Sequence, residues 1–211
     1  MTLTKTAIEI FLFINPLEMI SYQLEKMVVE FSKERNETVH VRFIPLLNFH
    51  TVTKQLSNTH LKGTNLTLRN DLYSKTYHVS LAFEAAMMQG KKAGRTFLIA
   101  LQDALLIQKM PLSKQVILDT ALHVGLDMEM FEEDLACEDT KDAFLEDQQL
   151  ARDMNVHDTP SCVIYNGNED SYGCLIDTNF TKPLLHGICN MDLTDEFMIQ
   201  EIKQKYNFDF I

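Results

Sequence analysis

Side chains able to act as nucleophiles or metal ligands are few in this sequence, and they lie far apart. The four cysteines are Cys137, Cys162, Cys174 and Cys189, and no two of them have the spacing of a redox pair or of paired metal ligands. The seven histidines are equally dispersed. Isolated thiols in a cytoplasmic protein are usually reduced residues of the core or the surface. We therefore predict no metal site and no cofactor.

The elements that would bring such residues together begin with a strand and a helix. Residues 7–14 form a short, apolar and β-branched run, which is typical of a strand covered on both faces. Apolar residues then recur at helical spacing. Asn15 is a good N-cap, Pro16 suits the first helical position, and Glu18 falls where a capping box has its acid. The sequence therefore predicts that the helix begins at Asn15 and Pro16.

A second strand follows that helix. Residues 38–45 alternate between apolar and polar side chains and end on a proline. A strand, a crossover helix and a strand of this length form a parallel pair with a right-handed connection. The carboxyl end of the first strand, where the helix points its amide groups, is a common place for chemistry in such units.

The middle of the chain is predicted to be helical after one irregular connection. Residues 46–68 lose clear periodicity and indicate a loop. Helical patterns then continue to about residue 155, where Gly94 is predicted to open one helix, Ser113 to cap another and Asp127 to begin a third.

The last part of the chain predicts a β-hairpin and two helices. A hairpin is indicated by two apolar runs joined by a short turn rich in asparagine and glycine. The predicted strands are 161–166 and 171–176, the turn is 167–170, and the helices are about 181–189 and 193–206. The order of elements is therefore βαβ, a helical block, then ββα.

Composition limits the class of partner. The formal net charge of −11 argues against binding nucleic acid, which needs a basic surface. No segment approaches the roughly 18 continuous apolar residues of a membrane span, so we predict no membrane segment and a cytoplasmic location. Residues 127–147 hold ten acidic residues and the single basic residue Lys141. This run indicates either a solvated helical face or a docking surface for a basic partner.

The combination of these features resembles the DsbA family of thioredoxin-fold proteins. The junction at residues 13–17, the helical block between the two strand units, and the pair Thr159-Pro160 directly before a strand carry this resemblance. Residues 13–17 and 81–91 are similar to the cytoplasmic SpxH branch of that family, also called YjbH. The resemblance implies an α/β thioredoxin-like fold with an inserted all-helical domain, and it implies a cis bond before Pro160, in a loop that faces the active site.

The resemblance also implies a division of the chain. The first part of the thioredoxin-like domain would be residues 1–66, the helical insertion residues 67–155, and the second part residues 156–211. The chain begins almost at the first strand, and we therefore expect it to lack the cysteine-rich N-terminal extension of some SpxH relatives.

The chain departs from the family where a DsbA-type enzyme has Cys-x-x-Cys. The four residues at this place are Glu18, Met19, Ile20 and Ser21. Disulfide exchange needs a thiolate at the helix N-terminus and a second thiol to resolve the mixed disulfide. A carboxylate and a serine hydroxyl supply neither group, so we predict no dithiol exchange at this position and no catalytic residue.

Three functional hypotheses follow from the resemblance. The first is a non-catalytic adapter that binds an Spx-type transcription regulator and promotes its degradation by ClpXP. The second is a thiol-free enzyme similar to the kappa-class glutathione transferases, with Ser21 as the candidate residue. The third is a thiol-disulfide oxidoreductase or isomerase, as in the DsbA and FrnE proteins, with residual activity through Cys162. Besides the cis-proline loop, the candidate groove contacts are Asn15, Pro16, Tyr22, His157 and Cys162.

Overall fold

The computed structural model describes residues 7–58, 65–166, 173–177 and 180–190, and the backbone of residues 208–210. Its elements follow the predicted order of a βαβ unit, a helical block and a second group of strands, with one helix and one strand that were not predicted. The strands are β1 (Ile8–Ile14), β2 (Val39–Pro45), β3 (Ser161–Asn166), β4 (Cys174–Asp177) and β5 (Phe208–Phe210). The helices are α1 (Met19–Glu34), α2 (Phe49–Asn58), α3 (Leu66–Met88), α4 (Lys91–Gln102), α5 (Lys114–His123), α6 (Met128–Ala136), α7 (Glu138–Asp153) and α8 (Lys182–Asn190).

The described strands form one five-stranded mixed sheet in the order β2-β1-β3-β4-β5. The pair β1 and β2 is parallel, as predicted, and the remaining neighbours are antiparallel. Strand β5 was not predicted. The predicted helix at 193–206 and the predicted turn at 167–170 lie outside the described residues. The βαβ unit, the helical block and the hairpin confirm the predicted fold class.

Both faces of the sheet are covered along most of β1, which explains why its residues are apolar apart from the exposed Glu9. One face packs against α1 and α8 through Val28, Phe31 and Leu185, which are fully buried. The other face packs Phe13, Ile44 and neighbouring side chains against the end of α7. A strand between two layers has no polar face, so from Ile10 to Ile14 the sequence is a continuous apolar run.

The helical block has its own cluster of buried side chains. Phe97 of α4 and Phe131 of α6 lie at its centre, with ring centroids 5.3 Å apart. Between α4 and α5 the chain forms one π-helical turn, Asp103–Ile107. The domain boundaries given above remain a prediction, although this cluster is distinct from the one around the sheet.

Two helix starts differ from the prediction. Helix α1 begins at Met19, and its N-cap is Glu18, whose side chain makes no capping hydrogen bond. Asn15 and Pro16 instead belong to the turn that precedes the helix. Helix α4 begins at Lys91, because Gly90 adopts a positive φ of 117° and reverses the chain there. Gly94 is buried within α4, at a close approach to α3.

The predicted loop at 46–68 is partly wrong, because α2 lies within it. Asn48 caps this helix, since its Oδ1 accepts the Thr51 N–H at 2.9 Å while its own N–H donates to Thr51 Oγ1 at 3.2 Å. The prediction that Ser113 caps α5 is confirmed, since its side chain accepts from Val116 N. Helix α6 begins at Met128, next to the predicted Asp127, whose side chain accepts from Met130 N. No helix in the described part of the chain is long and apolar enough to cross a membrane.

Candidate functional site

The turn between β1 and α1 is organised by Asn15. Its Oδ1 accepts the Leu17 N–H at 3.0 Å, and its backbone carbonyl accepts the Glu18 N–H at 3.0 Å. Its own N–H donates to Ser21 Oγ at 3.1 Å. Asn15 and Ser21 are both buried. The buried polar groups of the turn are therefore paired, and the turn fixes where Glu18 stands at the beginning of α1.

Helix α2 holds this turn from the side. Gln55 donates through Nε2 to the Leu17 carbonyl at 2.7 Å, and its Oε1 accepts from Asn15 Nδ2 at 2.9 Å. One amide side chain therefore satisfies two groups of the turn. The helix that the sequence pattern did not predict is one wall of the site.

The loop before β3 forms the facing wall. The peptide bond between Thr159 and Pro160 is cis, as the resemblance implied. Lys54 of α2 donates through Nζ to Asp158 Oδ2 at 2.5 Å and to the Thr159 carbonyl at 3.1 Å. His50 Nε2 lies 3.7 Å from the same Asp158 oxygen. Helix α2 thus connects the turn before α1 to the loop of Pro160.

Glu18 has an unusual pKa in this setting. Burial raises the pKa of its carboxyl to about 7, while the positive charge of Lys54 opposes this rise and the negative charge of Asp158 adds to it. Its Oε2 atom is buried and has no hydrogen-bond partner in the described part of the chain. A carboxyl with this pKa exchanges its proton near neutral pH. At the position where a thiolate stands in DsbA-type enzymes, this chain therefore carries a weak acid.

The other three residues of the four-residue motif point in different directions. Met19 and Ile20 are half-buried, and Ile20 packs against the core between α1 and the sheet. Ser21 is fully buried, and its hydroxyl oxygen is occupied by the Asn15 N–H. A ligand in the groove would have to displace part of the turn before it could reach this hydroxyl.

Three of the candidate groove contacts, Tyr22, His157 and Cys162, lie in three different environments. Tyr22 is buried, and its hydroxyl donates to Asp103 of the π-helical turn and accepts from Lys26 Nζ at 3.1 Å. His157 is exposed next to the cis-proline loop. Cys162 has no solvent exposure, and burial raises the pKa of its thiol well above the usual value. Its position in β3 is therefore that of a core residue.

An apolar depression of about 620 Å³ adjoins the cis-proline loop. Phe49, Tyr73 and Leu145 line it and are 66%, 37% and 58% exposed. The rings of Phe49 and Tyr73 lie 5.9 Å apart, and the Arg69 guanidinium lies 5.3 Å from the Phe49 ring centroid. Adjacent exposed apolar side chains of this size are typical of protein-binding surfaces.

The sequence pattern missed Lys54, Gln55 and Asp158 as parts of the site. Two of them lie on the unpredicted helix, and Asp158 precedes the Thr159-Pro160 pair directly. The available signal was Asn48 with Thr51 three residues later, which is a recognisable helix start.

A comparison with protein families matches residues 11–184 to the thioredoxin family model. Curated relatives include the ClpXP adapter protein SpxH of Bacillus subtilis (strain 168), 24% identical over 208 residues, which cover 91% of this chain and 70% of the relative. SpxH of Bacillus licheniformis is 26% identical over 205 residues, with 89% and 68% covered. SpxH of Staphylococcus aureus (strain MRSA252) is 23% identical over 171 residues, with 81% and 59% covered.

Solved structures with the same fold include several thiol-disulfide proteins. A putative protein disulfide isomerase from Nitrosomonas europaea superposes with a TM-score of 0.61 at 12% identity, covering 83% of this chain and 91% of that one. The cytosolic disulfide reductase DsbM from Pseudomonas aeruginosa gives 0.57 at 13% identity, with 93% and 99% covered. DsbA from the same organism gives 0.54 at 16% identity, with 97% and 88% covered. Likeness at these identities shows the fold alone.

Proposed function

This chain belongs to the thioredoxin family, and on that premise we propose that it is a protein-binding adapter of the SpxH type. Its partner would be an Spx-type transcription regulator, which it would present to the ClpXP protease. The DsbA-like fold would supply a rigid surface for this partner rather than a redox centre.

One observation carries this proposal: among the described residues, the place where the turn before α1 meets the cis-proline loop holds the Glu18 carboxyl and no exposed thiol. Cys162, Cys174 and Cys189 are buried. Cys137 lies between α6 and α7 in the helical block. Disulfide exchange needs an accessible thiolate at the helix N-terminus. Peptide binding does not need one, because a groove can keep its shape after its thiols are lost.

The enzymatic alternatives have weaker support. The likeness to DsbA and DsbM supports a thiol oxidoreductase at the level of the fold only. Burial of Cys162 and the raised pKa of its thiol oppose the thiolate that such chemistry requires. The hypothesis of a glutathione transferase loses support because Ser21 is buried and hydrogen-bonded within the turn.

We place the regulator on the apolar depression beside the cis-proline loop. Phe49 is the most exposed large apolar side chain there, and it lies on α2, whose other residues Lys54 and Gln55 hold the site. Exposed aromatic side chains next to a polar rim frequently dominate binding energy at protein interfaces. The depression and the Glu18 site would then form one continuous docking surface.

The test is a reconstituted degradation reaction with ClpXP and an Spx-type substrate. Addition of this chain is expected to accelerate degradation. The variant Phe49→Ala is expected to weaken binding of the substrate about tenfold, which is about 1.4 kcal/mol. Leu122→Ala is the matched control, because Leu122 is 65% exposed on α5, away from the depression.

Two results would contradict the proposal in different ways. An unchanged degradation rate with the wild-type chain would remove the adapter function itself. Equal effects of Phe49→Ala and Leu122→Ala would leave the adapter function but reject the depression as its surface. A third variant, Cys162→Ala, is expected to keep full activity, and its loss of activity in a folded protein would favour the thiol hypothesis.

A further inference from the structure

Strand β2 is the edge of the sheet among the described strands, and part of its backbone faces outward. Thr38 carbonyl accepts the Ile8 N–H at 2.9 Å, and Leu46 N–H donates to the Ile14 carbonyl at 2.9 Å. In a parallel pair the residues that bond to the neighbouring strand alternate with residues whose N–H and C=O point the other way. Even-numbered residues of β2 therefore bond to β1, and Val39 and Val41 direct their backbone groups to the open edge.

Among the described residues, the end of this edge near Pro45 is covered and the end near Val39 is open. The Pro45 carbonyl accepts from Gln148 Nε2 of α7 at 2.7 Å, and Phe43 is fully buried. Towards the start of the strand, Arg95 of α4 donates through Nη1 to the Val41 carbonyl at 2.9 Å. In the part of the chain that the structure describes, both backbone groups of Val39 and the N–H of Val41 have no partner and could pair with a further strand.

A groove of about 480 Å³ runs along this part of the edge and is strongly basic. Lys91, Lys92 and Arg95 of α4 line it together with His40 and Arg42 of β2, and Glu9 is the acidic residue in its lining. Among the described residues Lys91, Lys92 and Arg95 form no ion pair, whereas Arg42 is paired with Asp147. The chain as a whole has a net charge of −11, so this groove is a basic region on an acidic protein.

From these two observations we propose that the groove between β2 and the start of α4 binds an extended acidic segment of a partner protein. The segment would pair its backbone with Val39 and Val41 as an added strand. Its acidic side chains would lie against Lys91, Lys92 and Arg95. Open strand edges bind extended peptides through main-chain hydrogen bonds, and side-chain pockets supply the selectivity. Here the selectivity is for negative charge.

This site is separate from the adapter surface. The groove is lined by residues 9–11 and 39–42, in the first halves of β1 and β2, whereas Glu18 follows the last residue of β1. The proposal therefore does not depend on the proposed function, and either one can fail alone.

The test uses the full chain and a fluorescein-labelled peptide of four Val-Glu repeats in a fluorescence anisotropy titration. We expect saturable binding that weakens with rising salt, because ion pairs between exposed groups are screened. A peptide of four Val-Lys repeats is expected not to bind. The acidic peptide with alternate backbone amides methylated is expected to bind at least about tenfold more weakly, because methylation removes the donors of an added strand.

The double variant Lys91→Glu/Lys92→Glu is expected to lower the affinity for the acidic peptide at least about tenfold. The control Lys109→Glu/Lys114→Glu makes the same change of net charge at exposed positions outside the groove, and it is expected to leave the affinity within about twofold. Amide chemical shifts of Val39 and Val41 are expected to move on binding, with new protection of the Val41 N–H from hydrogen exchange.

Four results of the binding experiments would overturn the proposal. They are the absence of binding, equal binding of the methylated peptide, equal loss in the control variant, and chemical-shift changes that map to the depression around Phe49. Concentration-dependent dimerisation abolished by Lys91→Glu/Lys92→Glu would assign the edge to a second copy of this chain and would also overturn it.

Discussion

Two partly or fully buried glutamates, Glu18 and Glu84, each face one aspartate and one basic residue, yet their surroundings give them different properties. Glu18 faces Lys54 and Asp158 at the groove, and burial raises the pKa of its carboxyl to about 7. Glu84 of α3 faces Asp147 of α7 and Arg42 of β2, and burial together with the negative charge of Asp147 raises the pKa of its carboxyl to about 9.

The two sites differ in which neighbouring charge has the stronger influence on the carboxyl pKa of the glutamate. The Asp147 side chain is 3% exposed, and its carboxylate lies 2.5 Å from Arg42 Nη2. The positive charge of Arg42 therefore acts mainly on Asp147. Glu84 is left beside a negative charge and keeps its proton at neutral pH. At the groove, Lys54 has the larger effect on Glu18 and Asp158 the smaller one. The same three types of charged group therefore keep Glu84 protonated at neutral pH, whereas Glu18 titrates near neutral pH.

The largest effect is expected from breaking the inner cluster. Arg42→Ala should lower the free energy of unfolding by about 2–3 kcal/mol, because it leaves Asp147 buried without its cation. The loss stays below that of a fully buried pair since the Arg42 side chain is 43% exposed. Chemical denaturation at pH 7 measures this.

The matched control for that measurement is Arg152→Ala on α7. Arg152 is exposed and bonds to Gln149 on its own helix, so its loss should change stability by no more than about 0.5 kcal/mol. Equal losses in the two variants would show that the cluster of Arg42, Asp147 and Glu84 adds nothing to stability.

The pH dependence of stability separates the two glutamates. Each has a folded-state pKa above 4.5, so above pH 4.5 the folded state holds more protons than the unfolded state and stability falls as pH rises, until the folded-state pKa is passed. The variant Glu84→Gln should therefore reduce the loss of stability between pH 4.5 and pH 9. The variant Glu18→Gln should reduce it only between pH 4.5 and pH 7. Denaturation curves at pH 5, 7 and 9 check this.

Glu25 also makes stability depend on pH, and it does so equally in both variants. Burial raises the pKa of its carboxyl to about 8, and Gln102 donates to it at 2.8 Å. The difference between the two variants between pH 7 and pH 9 is therefore the informative quantity. Identical curves for Glu18→Gln and Glu84→Gln in that range would remove the distinction drawn between the two sites.

The smallest expected effect is a change in the titration of Glu18 itself. Lys54→Met removes the cation that opposes the rise, so the pKa of Glu18 should increase further, by roughly half a unit to one unit. The ¹³C chemical shift of the Glu18 carboxyl, followed against pH, measures it. Lys75→Met on α3 is the control and should leave the titration unchanged, because Lys75 pairs with Asp71 on its own helix. A fall in the pKa of Glu18 in Lys54→Met would be inconsistent with the described geometry.

Much of the fold was predictable because local patterns specify it. The apolar run of β1, the caps Ser113 and Asp127, and the Thr159-Pro160 pair before β3 are each recognisable within a few residues. Helix α2 was not predicted because some of its side chains bind polar groups of the site while others pack in the core. Lys54 and Gln55 interrupt the apolar pattern, since their partners are polar groups of other elements.

The sequence alone determined the order of the βαβ unit, the helical block and the hairpin, the family resemblance, and the absence of Cys-x-x-Cys at the start of α1. These follow from residue types and from spacings of a few positions. Tertiary structure decided what replaces the thiols. The turn depends on a bond between Asn15 and Gln55, 40 residues apart, and the groove on one between Lys54 and Asp158, 104 residues apart. The pKa of Glu18 depends on burial and on these neighbours, and no local pattern contains them.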